Sequence, residues 1–204
     1  MPSLPQLLLD HLPDLALAAA LAWGAGLRLY LVVFLFGLAA RLGLLPLPEH
    51  LLTIEHPMVI AAAGFMALVE LFADKLPWID SVWDVLHTFV RIPAGAALAA
   101  AVFADSGAAA VAAGLLGGSL TAATHFTKAG TRAVVNASPE PFSNLLVSLG
   151  EDTLVVGGSW LAVTHPLAFL AVLALFVITI VLALRALVGG VRRIFGRRAP
   201  ISPD

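Results

Sequence analysis

The sequence predicts an all-α, polytopic transmembrane helix bundle of about six spans, and three observations point there. Hydrophobic residues make up 60% of the 204-residue chain and charged ones only 12%, whereas soluble domains run near half and a quarter. The mean hydropathy is +0.99, and stretches such as 166–184 carry no charge. Finally, the apolar runs have the right length, since a hydrocarbon core of roughly 30 Å takes about 20 helical residues. Ala and Leu dominate without sustained two-residue alternation, which argues against strands.

The first run, 14–43, is long for one perpendicular crossing. "WGAGLR" at 23–28 interrupts it, and Gly24 and Gly26 weaken a helix there, so this span reads as tilted or broken. Ahead of it, "MPSLPQLLLDHLPDLA" has no basic n-region and carries Asp10 and Asp14, which suits an uncleaved cap or interfacial helix. Further spans follow at 57–74, 83–104, 107–130 or beyond, 143–164 and 166–190. They form a single transmembrane domain, 1–190, with a basic tail at 191–204. "EHP" (55–57) and "THP" (164–166) place Pro where a helix begins, with His56 and His165 at the outer surface. Gly114, Gly118 and Ala122 make a small-residue seam for close helix packing.

"AGLR" (25–28) and "AGTR" (129–132) lie half a chain apart, with Gly130 placed like the glycines of the first run. Two repeats, 12–104 and 105–190, would each hold three spans. An odd number inverts the second copy, as in many secondary transporters. A chance or packing match of four residues is the alternative.

Orientation follows from Lys and Arg near span ends. Arg192, Arg193, Arg197 and Arg198 put the C-terminus in the cytoplasm. Counting back through six spans puts 44–56, 105 and 165 outside and 75–82 and 131–142 inside. Lys75, Lys128 and Arg132 agree with this; Arg41 does not. A net charge of −2 with few basic residues gives no nucleic-acid footprint, and the absence of Cys removes disulfide, thiolate and Cys-ligated metal chemistry. The expected partners are the lipid bilayer and a small solute or ion, with a homo-oligomer left open. No cofactor is expected.

Three constellations carry the chemistry. In "AATHFTKAGTRAVVNASPEPFSN" (122–144), His125, Lys128 and Arg132 project from one helical face. The cations can snorkel to water, or the stripe can meet an anion or partner carboxylates. Pro139 and Pro141 end that helix, leaving Asn136, Glu140 and Asn144 as polar groups near it. In "ELFADKLPWIDSVWDVLHTFVR" (70–91), Glu70 and Asp74 share a face beside Lys75. Asp80, Asp84, His87 and Arg91 then continue a stripe at i, i+4, i+7 and i+11. A solvated interfacial helix suits Asp80, with Trp78 and Trp83 as headgroup anchors. It suits Arg91 poorly, and a hydrated pathway lined by acids and bases is the sharper reading. No metal motif occurs. In "SLGED" (148–152), Glu151 and Asp152 fall inside a span at a cost of about 2.5–3.5 kcal/mol for a lone acid, so pairing with Lys128, Arg132 or Arg91, or protonation, is expected. Adjacent residues point about 100° apart, so the two acids do not serve one partner equally. Arg28 needs an internal partner, with Glu70, Glu151 or Asp152 available.

Taken together, "AGLR", "ELFADKLPWIDSVWD", "VRIPAGA", "THFTKAGTRAVVNASPEPFSN" and "SLGED" resemble the bacterial integral membrane family called domain of unknown function 4126, over roughly 15–185. The resemblance implies a multi-pass bacterial membrane protein and supplies no activity; the inner membrane, with a cytoplasmic C-terminus, is the expected location. "ELFADK" only partly matches the Glu-x-Gly-Asp-Lys signature of a cation-exchanger family, because the acids are one residue further apart and Ala73 stands where Gly is required.

The leading expectation is therefore a small secondary transporter or permease. Arg91, His125, Lys128, Arg132, Asn136 and Asn144 would bind an anionic solute, while Glu70, Asp74, Lys75, Asp80, Asp84, His87, Glu151 and Asp152 would couple an ion. Arg28 would be held in a structural ion pair. No catalytic residue is assigned, since no nucleophile elbow or phosphate-cradling Gly loop is present. The alternatives are a membrane enzyme acting on phospholipid or isoprenoid phosphate headgroups, and a non-catalytic membrane subunit.

Overall fold

A computed structural model describes residues 4–137 and 141–195. Six helices and one 3-10 segment follow in order: α1 (Leu4–Arg41), the 3-10 segment Glu49–Glu55, α2 (Pro57–Ala73), α3 (Pro77–Val102), α4 (Gly107–Asn136), α5 (Pro141–Thr164) and α6 (Pro166–Phe195). No strand occurs among the described residues. Asp10–Arg41, Ile79–Val102, Gly107–Asn136, Phe142–Thr164 and Pro166–Ala186 are each long and apolar enough to cross a bilayer. The pair Glu49–Glu55 and Pro57–Ala73, bent by 63°, makes a sixth candidate. The 3-10 segment lies in what reads from sequence as a plain loop. Glu140, Pro139, Arg197 and Arg198 fall outside the described residues, as do the side chains of Trp78 and Arg193.

The chain forms two units, Met1–Phe169 and Leu170–Asp204. The second is the larger part of α6, with Leu175, Ile178 and Leu182 exposed. The first holds α1–α5, with α1 packed against each of the other four.

Proline and glycine punctuate these helices as the sequence suggests. Pro57 opens α2 behind His56, whose Nδ1 accepts from the Met58 N–H at 3.3 Å. His56 and His165 are both exposed. α1 ends with Gly43 at φ +70°, where the Leu44 N–H reaches the Ala39 carbonyl at 2.9 Å. That is the left-handed helix cap for which glycine is suited.

The break in α1 is sharper than the sequence suggests. Arg28 leaves the helical region, with φ −146° and ψ 75°. A Cβ on Gly24 would lie 2.4 Å from Val32 Cγ2, although residues eight apart stand about 12 Å apart along a straight helix. The contacts of the two arms show the sense of the bend. Arg28 meets Ser148 on α5, whereas Trp23 packs on Gly158, ten residues further along α5, and edge-on against Phe169. Leu27 meets Lys128 on α4, whereas the Ala22 carbonyl accepts from Thr121, seven residues earlier. Arm 4–27 thus runs beside and parallel to α4. Arm 29–41 runs back antiparallel to α2, with Gly37 against Ile54 and Ile60 and Gly64 against Phe34. α1 is therefore a helical hairpin with Arg28 at its tip, rather than one crossing. Its N-terminus lies at the end of the bundle that holds 42–56, opposite to the side that counting six spans assigns.

From Ala16 to Leu27 residues around the whole circumference of the first arm are enclosed, among them Ala16, Leu17, Ala18, Ala20, Leu21, Ala22, Trp23 and Ala25. Small side chains allow this enclosure. A Cβ on Gly26 would stand 2.6 Å from the Thr121 carbonyl oxygen and 2.8 Å from Thr124 Cβ. α3 and α4 meet along an equally tight seam, where Gly117 faces Ala99, Gly118 faces Ala96 and Gly114 faces Ala100. The seam predicted at Gly114 and Gly118 is present, and Gly95 and Gly117 make its closest approaches. Gly130 has no neighbour within 4 Å and α4 runs unbroken past it, so the break in α1 has no counterpart there.

Candidate functional site: a buried ion-pair cluster

The α3 stripe is buried along its length: Asp80, Asp84, His87 and Arg91 all point inward. α4 sets His125, Lys128 and Arg132 opposite, also buried. The last turn of α2 supplies Glu70 and its C-cap supplies Asp74, both 0% exposed. α5 brings Ser148, Glu151 and Asp152, and the tip of α1 brings Arg28. Five elements therefore deliver ionic groups to one place in the bundle.

The arginines are tightly held. Arg28 Nη1 lies 2.5 Å from Asp74 Oδ2, its Nε 2.9 Å from Asp152 Oδ1 and its Nη2 3.6 Å from Glu151 Oε2. Arg28 Nη2 also donates to Ser148 Oγ at 2.8 Å. Arg91 donates to Glu70 Oε1, to Asp84 Oδ1 at 2.8 Å and to His125 Nδ1 at 3.2 Å. Arg132 grips Glu151 through two parallel bonds, Nε to Oε1 and Nη2 to Oε2, each 3.0 Å. The same Nη2 reaches Asp74 Oδ2 at 3.0 Å, and Nη1 donates to Asn144 Oδ1. Planar guanidinium forks suit such bidentate and bridging geometry.

Lys128 is held differently. Its ammonium donates to the Leu27 carbonyl at 3.1 Å, at the break in α1. Four carboxylates surround it at longer range: Glu70 at 3.5 Å, Asp84 and Glu151 at 3.6 Å and Asp74 at 4.0 Å. A compact charge with three rotatable donors and one hydrogen bond can exchange partners at little cost.

Two histidines flank the cluster. The Trp83 carbonyl can only accept, so the His87 Nδ1 at 2.8 Å carries a hydrogen, and Nε2 meets the Tyr30 hydroxyl at 3.0 Å. The Trp83 ring stacks on His87 with centroids 4.1 Å apart. Thr88 Oγ1 donates to the Asp84 carbonyl at 2.9 Å and so accepts from His125 Nε2 at 2.7 Å. That leaves the His125 Nδ1 lone pair for Arg91, which describes a neutral ring.

The family model described as Domain of unknown function (DUF4126) matches residues 15–186. The chain belongs to this family. No curated protein and no solved structure matches it.

In this DUF4126 protein most of the residues singled out from sequence converge, and several sit otherwise than expected. Lys75 is exposed, with its ammonium 4.8 Å from the Phe72 ring centroid, outside the cluster. Asp80 is 0% exposed rather than solvated, and it pairs with Asn136 rather than with a cation. Asn136 therefore faces Asp80, while Asn144 joins the cluster, donating to the Asp74 carbonyl at 2.8 Å. Arg28 takes Asp74, Glu151 and Asp152 as partners. Glu70, expected as a candidate for Arg28, goes to Arg91 and Lys128. The two adjacent acids of α5 both reach Arg28, because its long side chain passes between them. Trp83, read from sequence as a headgroup anchor, stacks on His87. Tyr30, Thr88 and Ser148 are polar partners that sequence reasoning missed. A signal existed, since Thr88 stands four residues after Asp84, and Ser148 three before Glu151, each on its acid's own face.

Proposed function

We propose that this protein is a small secondary transporter that moves a small anion together with a counter-charge through the buried cluster. The loose seat of Lys128 carries the reading: one ammonium lies between four carboxylates, none closer than 3.5 Å. Acids outnumber cations here. Glu70, Asp74, Asp80, Asp84, Glu151 and Asp152 face Arg28, Arg91, Lys128 and Arg132, and both histidines have hydrogen bonds that suit a neutral ring. An anion can reach Lys128 or Arg132 only by replacing a carboxylate. Neutralising an acid frees a cation for the solute, and losing the solute lets the ion pair re-form. Such exclusion couples the two bindings through a shared charge.

An open, apolar groove of ≈ 500 Å³ lies between α1, α2, α3 and the 3-10 segment, lined by Tyr30, Leu51, Ala63 and Leu98. Tyr30, whose hydroxyl bonds His87, lies between it and the cluster. The reading puts the protein in the bacterial inner membrane with a cytoplasmic C-terminus. Arg28 and Arg132 meet the same two carboxylates, Asp74 and Glu151, but an inverted copy would run opposite to its counterpart, whereas the arm that carries "AGLR" runs parallel to the helix that carries "AGTR".

The test is reconstitution into liposomes with a trapped pH-sensitive dye, screened against small organic and inorganic anions. Solute-dependent proton movement, lost in Glu151→Gln and Arg132→Ala and kept in Lys75→Ala, supports transport. Lipid turnover without such movement would favour an enzyme, and neither activity with a lowered yield of folded variants would favour a structural subunit.

A further inference from the structure

Resting on that reading, we infer that the coupling ion is a proton and that Asp80 is the carboxyl that takes it up and releases it, at the end of the bundle where α2 meets α3. Five acids of the cluster have a Lys or Arg nitrogen within 4.0 Å. Asp80 is the exception among the described residues. Its Oδ2 accepts from Asn136 Nδ2 at 2.9 Å, and its Oδ1, fully buried, has no hydrogen-bond partner among the described residues. An ionised carboxylate in such a seat lacks both water and a counter-ion, whereas the neutral acid needs neither.

The charged groups around it are Arg132 from α4, Asp74 from the end of α2 and Asp84 one turn on along α3. Each of these three also belongs to the cluster, so the proton on Asp80 senses how they are paired. While Arg132 is bound to Glu151 and Asp74, it is not paired with Asp80. When a solute anion draws Lys128 away from Asp74 and Asp84, each keeps its arginine but loses part of its compensation, and the added negative charge favours the proton on Asp80. When Arg132 turns toward Asp80 and this end of the bundle opens to solvent, Oδ1 gives its proton to the entering water while Asn136 stays on Oδ2. A proton asks for one carboxyl, and no group of three or more acids or histidines among the described residues could ligate a metal ion.

Infrared difference spectroscopy of the purified protein, stepped in pH with no solute present, follows the carbonyl stretch of a protonated carboxyl. The expected result is a titrating band absent from Asp80→Asn, retained in Asp84→Asn and displaced in Asn136→Ala. A band unchanged in Asp80→Asn, or no titrating band in the wild-type protein, would overturn the assignment. Circular dichroism and monodisperse elution establish that the variants fold. If Asp80→Asn does not, the Asn136→Ala band decides, since an unmoved band there refutes the pairing. Because the titration needs no solute, an Asp80 band in a protein that carries no solute into liposomes sinks the transport reading, and solute uptake without proton movement sinks this inference. Flux with no Asp80 band sinks this inference alone.

Discussion

Replacing Arg132 by Gln should destabilise the protein more than replacing its partner Glu151 by Gln, although the two share the same bonds. Arg132→Gln removes both bonds to Glu151 and the 3.0 Å contact with Asp74. Asp74 still has Arg28 at 2.5 Å, but the nearest cations to Glu151 are then Arg28 and Lys128, each at 3.6 Å. Stranding one partner of a buried pair costs about 3–5 kcal/mol, which on soluble-protein scaling is roughly 6–20 °C in Tm for a chain of this length. Glu151→Gln instead reduces an excess of acids and leaves Arg132 with Asp74 and Asn144. Its cost should be that of a weakened charged hydrogen bond, about 1.5–3 kcal/mol. The double variant should lie above the sum of the singles by about 0.5–3 kcal/mol of coupling. Thermal unfolding by tryptophan fluorescence, in one detergent and at one pH, measures all three. Equal losses in the two single variants, or additivity within about 0.5 kcal/mol, would refute the charge-excess reasoning.

Other consequences are equally open to measurement. Gly26→Ala drives a Cβ to 2.6 Å from the Thr121 carbonyl and should cost about 1–3 kcal/mol; Gly130→Ala meets nothing within 4 Å and should be neutral or stabilise by about 0.5–1 kcal/mol. Because the chain has no Cys, single cysteines report topology cleanly. Asp10→Cys and Leu44→Cys should react with an impermeant thiol reagent from one side of sealed vesicles and Ala137→Cys from the other, whereas labelling of positions 10 and 44 from opposite sides would contradict the hairpin. Tyr30→Phe removes a single hydroxyl bond to His87 and should lower stability by about 0.5–1.5 kcal/mol in the same unfolding assay.

Much of the architecture was legible in the sequence because lipid imposes a length on every span and proline marks where helices start. The α3 stripe was legible for the same reason: Asp80, Asp84, His87 and Arg91 repeat on one face, and an arginine amid apolar residues must face inward. The hairpin was not legible. "WGAGLR" signals a weak point, but glycines do not state the angle, which is set by Trp23 against Gly158 and by Gly26 against Thr121. The partner of each ion was equally hidden, since helical periodicity fixes which face a residue occupies and not which helix lies opposite. So Arg28 found Asp74 rather than Glu70. Lys75, beside Asp74 in sequence, turned outward because α2 ends between them.

Transport by partner exchange at Lys128 is tested most directly by comparing wild-type protein with Lys128→Met in liposomes at equal incorporation, reading proton movement driven by a solute gradient. The wild type should move protons well above protein-free vesicles, and folded Lys128→Met should fall to the protein-free level while Lys75→Met stays at the wild-type rate. A Lys128→Met variant as active as the wild type would contradict the account.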